Sequence, residues 1–363
     1  MQSMTLGTTA GVILAFSIAG CGVAGPASVR AGRANYNIAI QQTNAEQLLL
    51  NLVRLRYRDV PYFLEVASVS TSFEFNTAAS VGVALPESAA KAYSLGAEVS
   101  VLENPTVTYT PLQGEQFVTQ LMSPINLETL LLLYHSGWSI ERVFRVSLQS
   151  INDARNAPSA SGPTPDYLPQ YQRFVEVTKL LRSLQRRHLL SLGQSMAEGS
   201  DKIFVEMRVD PKALESDEFK QLCNLLELEP GQGRFQLTTE RGAGGRDRLA
   251  IATRSLNSIL FYLSQSVVTP EKDELAGRVT VTRDEKGKRF DWQEVTGGLM
   301  RIGSSSLPPG NAYVSVPYRG SWFYIDDSDL TSKSTFSLLM QLFALQAGDV
   351  KSTGPILTLP VGR

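Results

Sequence analysis

The sequence predicts an α+β fold with mixed or antiparallel sheets, packed helices and two subdomains. Three observations carry that expectation. Helical and strand-like stretches follow one another without the strict alternation of a doubly wound sheet. The region 62–111 switches to period-two patterning, the mark of half-buried strands. Hydrophobic residues make up 43% and charged residues 19% of the chain, the balance of a sequence that buries a core.

At the chain start, the first charged side chain is Arg30. Before it, an uncharged apolar run from Ala10 ends in Ile18-Ala19-Gly20-Cys21. This quartet, directly behind an apolar core, resembles the lipobox cut by the bacterial lipoprotein signal peptidase. The resemblance implies that Ile18, Ala19 and Gly20 are recognised by the peptidase. It also implies that Cys21 becomes the first residue of the mature chain, with diacylglycerol on its sulfur. Residues 1–20 are then a signal peptide, and 21–36 a lipidated tether of small residues. Gly22, in place of an Asp that would retain the protein at the inner membrane, implies the periplasmic face of the outer membrane. Two or three acyl chains hold a protein firmly on a bilayer, and no other stretch is a candidate span.

A net charge of −1 does not advertise nucleic acid as a partner. Of the two cysteines, Cys21 is taken by lipid, so Cys223 is left alone and a disulfide framework is excluded. Cys223 lies on the apolar side of a helix beginning near Ser216, as a buried structural thiol.

An N-terminal domain, 37–155, opens with Thr43 and Glu46 as a capping box. Leu48, Leu49, Leu52 and Val53 follow at helical spacing, with Arg54, Arg56 and Arg58 as exposed helix-end charge. Strand candidates are 63–75, 80–85, 95–101 and 106–110, with Glu87, Ser88 and Lys91 between the middle pair. A soluble antiparallel sheet is the first reading, and a membrane hairpin the second. Phe117, Leu121 and Met122 mark a short helix, and 127–134 a helix apolar nearly all round. Phe144, Val146 and Leu148 alternate with polar residues as a strand. The stretch 156–165 is rich in proline and small polar residues, so 156–166 is taken as a linker.

The C-terminal domain, 167–363, begins with an amphipathic helix to about Leu190, carrying Phe174, Val177, Thr178, Leu181, Leu184 and His188 on one side. Strands at 203–209, 235–239, 249–253 and 279–282 follow, the middle two as a hairpin around a glycine-rich turn. Tyr313–Tyr318 and Trp322–Ile325 form a second hairpin closed at Arg319-Gly320, with Pro317 requiring an edge or a bulge. A core helix with Phe336, Leu339, Met340 and Phe343, then a short strand at 356–359, complete the chain.

Candidate interaction residues fall in three places: Arg182, Arg186 and Arg187 on the basic helix; Arg241, Arg246 and Arg248 around the glycine-rich turn; and Trp322 and Tyr324 on the aromatic hairpin. The turn lacks the Lys-Ser/Thr of a phosphate-binding loop. His135 and His188 lack zinc-ligand spacing, and Asp326, Asp327 and Asp329 fit helix capping better than calcium. No catalytic residues, cofactor or metal are expected. The sequence therefore predicts a lipid-anchored scaffold or adaptor of the bacterial envelope, a subunit of an outer-membrane assembly whose partners are the membrane, envelope proteins or copies of itself. Two alternatives stand beside it: a ring-forming pore or secretion lipoprotein using hairpin 62–111, and an envelope hydrolase built around His135 or His188.

Overall fold

The computed structural model describes residues 34–84, 92–196, 203–240, 242, 244–347 and 357–360, with side chains for all of these except 70–105, 347 and 357–360. Ile18, Ala19, Gly20 and Cys21, Glu87, Ser88 and Lys91, and Arg241 lie outside the described residues. The fold is α+β. The chain divides into two compact units, Met1–Val60 with Pro124–Leu342, and Pro61–Ser123 with Phe343–Arg363.

Helix α1 spans 34–56 in the first unit. Leu48, Leu49, Leu52 and Val53 are buried along it, as their spacing requires. Thr43 is not its N-cap. The helix starts earlier, and the Thr43 hydroxyl bonds back to the carbonyls of Ala39 and Ile40. Arg56 is not exposed helix-end charge either: it is 4% exposed, and its Nη1 donates to Thr164 Oγ1 at 3.0 Å. Just beyond the helix, the Tyr57 hydroxyl donates to Asp273 Oδ2 at 2.6 Å.

The second unit is built on one hairpin. The four strand candidates fuse into β1, Leu64–Ala84, and β2, Ala92–Pro111, of 21 and 20 residues. They pair antiparallel from Leu64↔Pro111 to Ala84↔Ala92, with one irregularity between Val66 and Ser68. Continuity of the alternation lets the strands run on, because no proline falls within 64–84 or 92–104. Helix α2, Glu115–Met122, buries Phe117 and Leu121 but leaves Met122 exposed. At the hairpin base the Phe63 ring lies 6.2 Å from Phe117 and 4.8 Å from Phe343.

In the first unit, Asn126 caps α3, Leu127–His135, through its side chain to Thr129 N. Leu130, Leu131 and Leu133 are buried, whereas Leu132 is exposed, so this helix is not apolar on every side of its environment. Ser139 then caps α4, Ile140–Ser147. The expected strand at Phe144–Gln149 is thus mostly helix, with β3 confined to Leu148–Ile151. Ile140, Val143, Phe144 and Ser147 recur at helical spacing and are buried, and that outweighs the local alternation. After β4, Ala154–Arg155, the stretch 156–165 is no exposed linker. Asn156, Ala157, Ala160 and Thr164 are buried. Asn156 Nδ2 donates to the carbonyls of Arg145 and Leu148 at 2.8 and 2.7 Å, so polar composition here serves interior hydrogen bonds.

Helix α5, Gln172–Arg186, buries Phe174, Val177, Thr178, Leu181 and Leu184; His188 falls beyond it, exposed. Strands β5 (Leu190–Met196) and β6 (Ile203–Val209), helix α6 (Asp217–Leu226), and strands β7 (Arg234–Thr238) and β8 (Arg248–Thr253) complete a six-stranded sheet ordered β4-β3-β8-β7-β6-β5. Here β7 and β8 pair parallel, Gln236↔Arg248, and form no hairpin. The intervening loop carries the chain back to the start of β7, where Gln236 N donates to Asp247 O at 3.2 Å. That places β8 between β7 and β3, whose central apolar residues Leu237, Leu249 and Ile251 are buried. Cys223 is buried on α6, and burial pushes its thiol up to about 11.

Ser255 caps α7, Leu256–Ser264, and short helices α8 (Glu271–Leu275) and α9 (Gln293–Thr296) follow. No strand forms at 279–282; among the described residues only an isolated bridge, Arg283↔Arg289, closes the charged turn there. Strands β9 (Gly303–Ser305), β10 (Ala312–Tyr318) and β11 (Ser321–Asp326) form a sheet ordered β10-β11-β9. Pro317 sits on β10, an edge, as its missing amide donor demands. Arg319 and Gly320 both have positive φ, 48° and 73°, the geometry of a tight two-residue hairpin turn. Asp329 accepts from Ser332 N at 2.9 Å at the start of α10, Leu330–Ala347. Finally β12, Leu357–Pro360, pairs with β2 between Tyr109 and Thr106.

Candidate functional site

The hairpin β1–β2 is the candidate site, and its register explains why. Pairing assigns residues to two alternating sets of cross-strand positions. One set holds Phe75↔Val101, Thr77↔Val99, Ala79↔Ala97, Val81↔Leu95 and Val83↔Tyr93. The other holds Ser72↔Asn104, Glu74↔Leu102, Asn76↔Ser100, Ala78↔Glu98, Ser80↔Gly96 and Gly82↔Ser94. One face of the distal hairpin is therefore apolar but for Thr77, and the opposite face is small or polar but for Leu102. The two strands share this sorting, so it is a property of the pair.

The proximal part differs. Val69↔Val107 and Thr71↔Pro105 alternate with Ser68↔Thr108 and Ser70↔Thr106, and Phe73 pairs with Glu103. In sheet order β1-β2-β12, β1 is an edge along its whole length, and β12 covers β2 only from Thr106 to Tyr109. Among the described residues, both backbone edges of the distal hairpin are thus unpaired. A two-stranded ribbon is marginal by itself in water, and such edges invite pairing with another chain.

The other candidate interaction residues do not converge. Arg182 donates to Gln185 Oε1 at 2.6 Å, Arg187 pairs with Glu218 at 2.5 Å, and Arg186 is exposed at the end of α5. Arg246 pairs with Glu229 at 3.3 Å, and Arg248 is exposed where β8 starts. A cavity of about 740 Å³ beside this loop is lined by Asp153, Glu227 and Glu229 as well as Arg246, a carboxylate-rich wall unsuited to an anion. Trp322 and Tyr324 are half-buried on β11. Tyr324 covers Gly303: a Cβ there would stand 2.9 Å from Tyr324 Cζ. Phe323, between Trp322 and Tyr324 on the same strand, is fully buried.

His135 is exposed at the end of α3, its ring 5.5 Å from Tyr134, and His188 is exposed with φ 57°. Among the described residues neither imidazole hydrogen-bonds to a serine, cysteine or carboxylate, and no group of three His, Cys, Asp or Glu side chains could hold a metal. No helix among them is long and apolar enough to cross a membrane. No family model, curated protein or solved structure matches the chain.

Proposed function

We propose that this protein is a lipid-anchored subunit of an outer-membrane assembly, in which copies form a ring and each inserts hairpin 64–111 into a shared transmembrane β-barrel. The observation that carries this reading is the β1–β2 register, continuous from Ser68↔Thr108 to Ala84↔Ala92, with its distal apolar face and polar face. From Phe75 to Val83 the apolar positions span about 9 residues, and a transmembrane strand takes about 9–11. Aromatic residues border the band, Phe73 and Phe75 at one end and Tyr93 at the other, as interfacial girdles do in such barrels. The free edges fit the same reading: backbone groups in hydrocarbon must all be paired, and β1 of one copy against β2 of the next closes the barrel. The proximal half, with serine and threonine on one face and Glu103 on the other, then serves as an aqueous stalk.

The lipobox resemblance supports the location. A lipid on Cys21 would hold each copy at the periplasmic leaflet and concentrate it for ring assembly. Metabolic labelling with a fatty-acid probe tests the anchor, with label expected on the wild type and lost in Cys21→Ser.

The pore is tested by adding purified full-length protein to dye-loaded liposomes and sizing the detergent-extracted product. A discrete high-mass ring and dye release are expected. Val81→Arg puts a cation at mid-band, where it costs about 2–4 kcal/mol per strand in a barrel, and should abolish release while leaving the first unit folded by circular dichroism. Release unchanged by Val81→Arg, or a monomer without release, overturns the proposal.

A further inference from the structure

The first unit contains a second feature, unrelated to the hairpin. A cavity of about 380 Å³ is lined by Arg56, Gln265, Thr282, Arg289, Trp292 and Arg301 among others. Its volume is that of a small-ligand site. Arg56 and Gln265 form its deep wall, 4% and 2% exposed. The Arg56 guanidinium donates through Nη1 to two neutral oxygens, Thr164 Oγ1 at 3.0 Å and Thr280 O at 3.1 Å. Gln265 Nε2 donates to the same Thr164 Oγ1 at 3.1 Å and to Phe261 O at 3.4 Å. That second acceptor fixes the amide orientation, because a flipped amide would set oxygen against oxygen.

Two buried polar atoms in this cluster keep no hydrogen-bond partner: Arg56 Nε, a donor, and Gln265 Oε1, an acceptor. The direct partners of this buried cation are neutral oxygens, the carboxylate that attracts it, Glu274, is already paired with Arg289, and an unmet polar atom costs the full desolvation of that group. At the mouth, Arg301 is exposed and its guanidinium has no partner among the described residues, while Arg289 pairs with Glu274 at 2.7 Å. Asp291 is the single carboxylate among the lining residues, set against three arginines. Trp292 is pinned by its Nε1 donating to Thr282 Oγ1 at 3.0 Å, which in turn donates to Pro165 O at 2.6 Å. The wall is therefore held in place by hydrogen bonds that do not depend on a ligand.

We infer that this cavity binds a phosphate group that still carries a proton, as inorganic phosphate or a phosphate monoester. One phosphate oxygen accepts from Arg56 Nε, and the P–OH donates to Gln265 Oε1. Arg301 closes over the outer oxygens. Guanidinium forks match phosphate geometry. Sulfate has the same shape but no proton to give, and a phosphodiester headgroup likewise lacks the P–OH.

The test is isothermal titration of the full-length protein with sodium phosphate, glycerol 3-phosphate and sodium sulfate at matched ionic strength. It is run at about pH 6, where a monoester keeps part of its proton. Saturable binding of phosphate is expected, with sulfate roughly tenfold or more weaker, the scale of one hydrogen bond to a charged group. Monoester binding at least as tight as phosphate identifies an organic ligand, and tighter phosphate identifies the free ion; either supports the site. Arg301→Gln, at an exposed residue whose guanidinium makes no hydrogen bond or ion pair among the described residues, should weaken phosphate several-fold without changing the unliganded melting temperature. Equal affinity for sulfate, binding that does not saturate, or an unaltered Arg301→Gln titration overturns the inference.

Discussion

The guanidinium of Arg254 lies 3.9 Å over the ring of Tyr262, and both residues are fully buried. Burial pulls the Arg254 pKa down to about 10, so the group stays charged at neutral pH. Its counter-charges are backbone dipoles. It donates to the carbonyls of Arg145 at 3.2 Å and Val146 at 3.3 Å, and also to those of Leu148 and Asn156. Three of these carbonyls lie at the C-terminal end of α4 or directly after it, where a cation complements the helix dipole, and the fourth, that of Asn156, begins the 156–165 segment. Arg254 therefore joins α4, the buried 156–165 segment and α7.

Arg254→Met should unfold the protein more readily by about 3 kcal/mol or more, because it strands several buried carbonyls at once. Arg254→Lys should recover only part, since an ammonium cannot reach that spread of acceptors. Urea denaturation midpoints measure both. A loss under about 1 kcal/mol for Arg254→Met would show that the carbonyls find other donors.

Acid stability should be set in part by Asp273. Burial pushes its carboxyl up, but the Tyr57 hydroxyl and Arg278, 2.7 Å away, outweigh that and hold it below the ordinary carboxylate range. A lowered folded pKa contributes stability above the unfolded value, about 3.9, and that contribution fades as pH falls through the folded value. Asp59, held down by Tyr318 and Arg319 against the burial that raises it, acts with the same sign. Wild type should thus lose stability below about pH 4, and Asp273→Asn should show a flatter profile there while being less stable at neutral pH. Thermal melts across that range decide it.

At Gly303, alanine should cost about 1–3 kcal/mol, because its Cβ would meet the Tyr324 ring at 2.9 Å. The ring is not the mobile end of a flexible chain, so β9 or β11 must shift. Gly303→Ala with Tyr324→Leu should cost less than the sum of the single changes, and a double-mutant cycle measures that coupling. Strict additivity would mean that the two residues do not share a contact.

If the hairpin forms a pore, its ion preference follows from the register. Glu74 and Glu98 share the set of positions that holds the serines, and strands 64–84 and 92–111 contain no Lys or Arg. Repeated around a ring, these carboxylates favour cations. Reversal potentials under a potassium chloride gradient should approach the potassium value and move toward zero in Glu74→Gln with Glu98→Gln. Chloride preference in wild type would reverse the assignment of the polar face to the lumen.

Pattern alone carried the fold class, the buried face of α1 at Leu48, Leu49, Leu52 and Val53, the β10–β11 hairpin and the buried Cys223, because each depends on neighbours in the chain. It placed strand texture across 62–111 as well. It failed where distant partners decide. Arg56 looked like helix-end charge because nothing nearby in sequence shows Thr164, Thr280 or Gln265 closing around it. The stretch 156–165 looked like a linker because composition does not tell a solvated polar residue from one bonded to interior carbonyls. Strand β8 looked like the return arm of a hairpin, but its partners β7 and β3 are chosen by sheet closure. Alternation by itself thus determined that the chain has an amphipathic ribbon. Only cross-strand pairing decided that four short stretches are two long strands with one shared apolar face, since a register is a relation between segments and a one-residue slip would send every side chain to the other side.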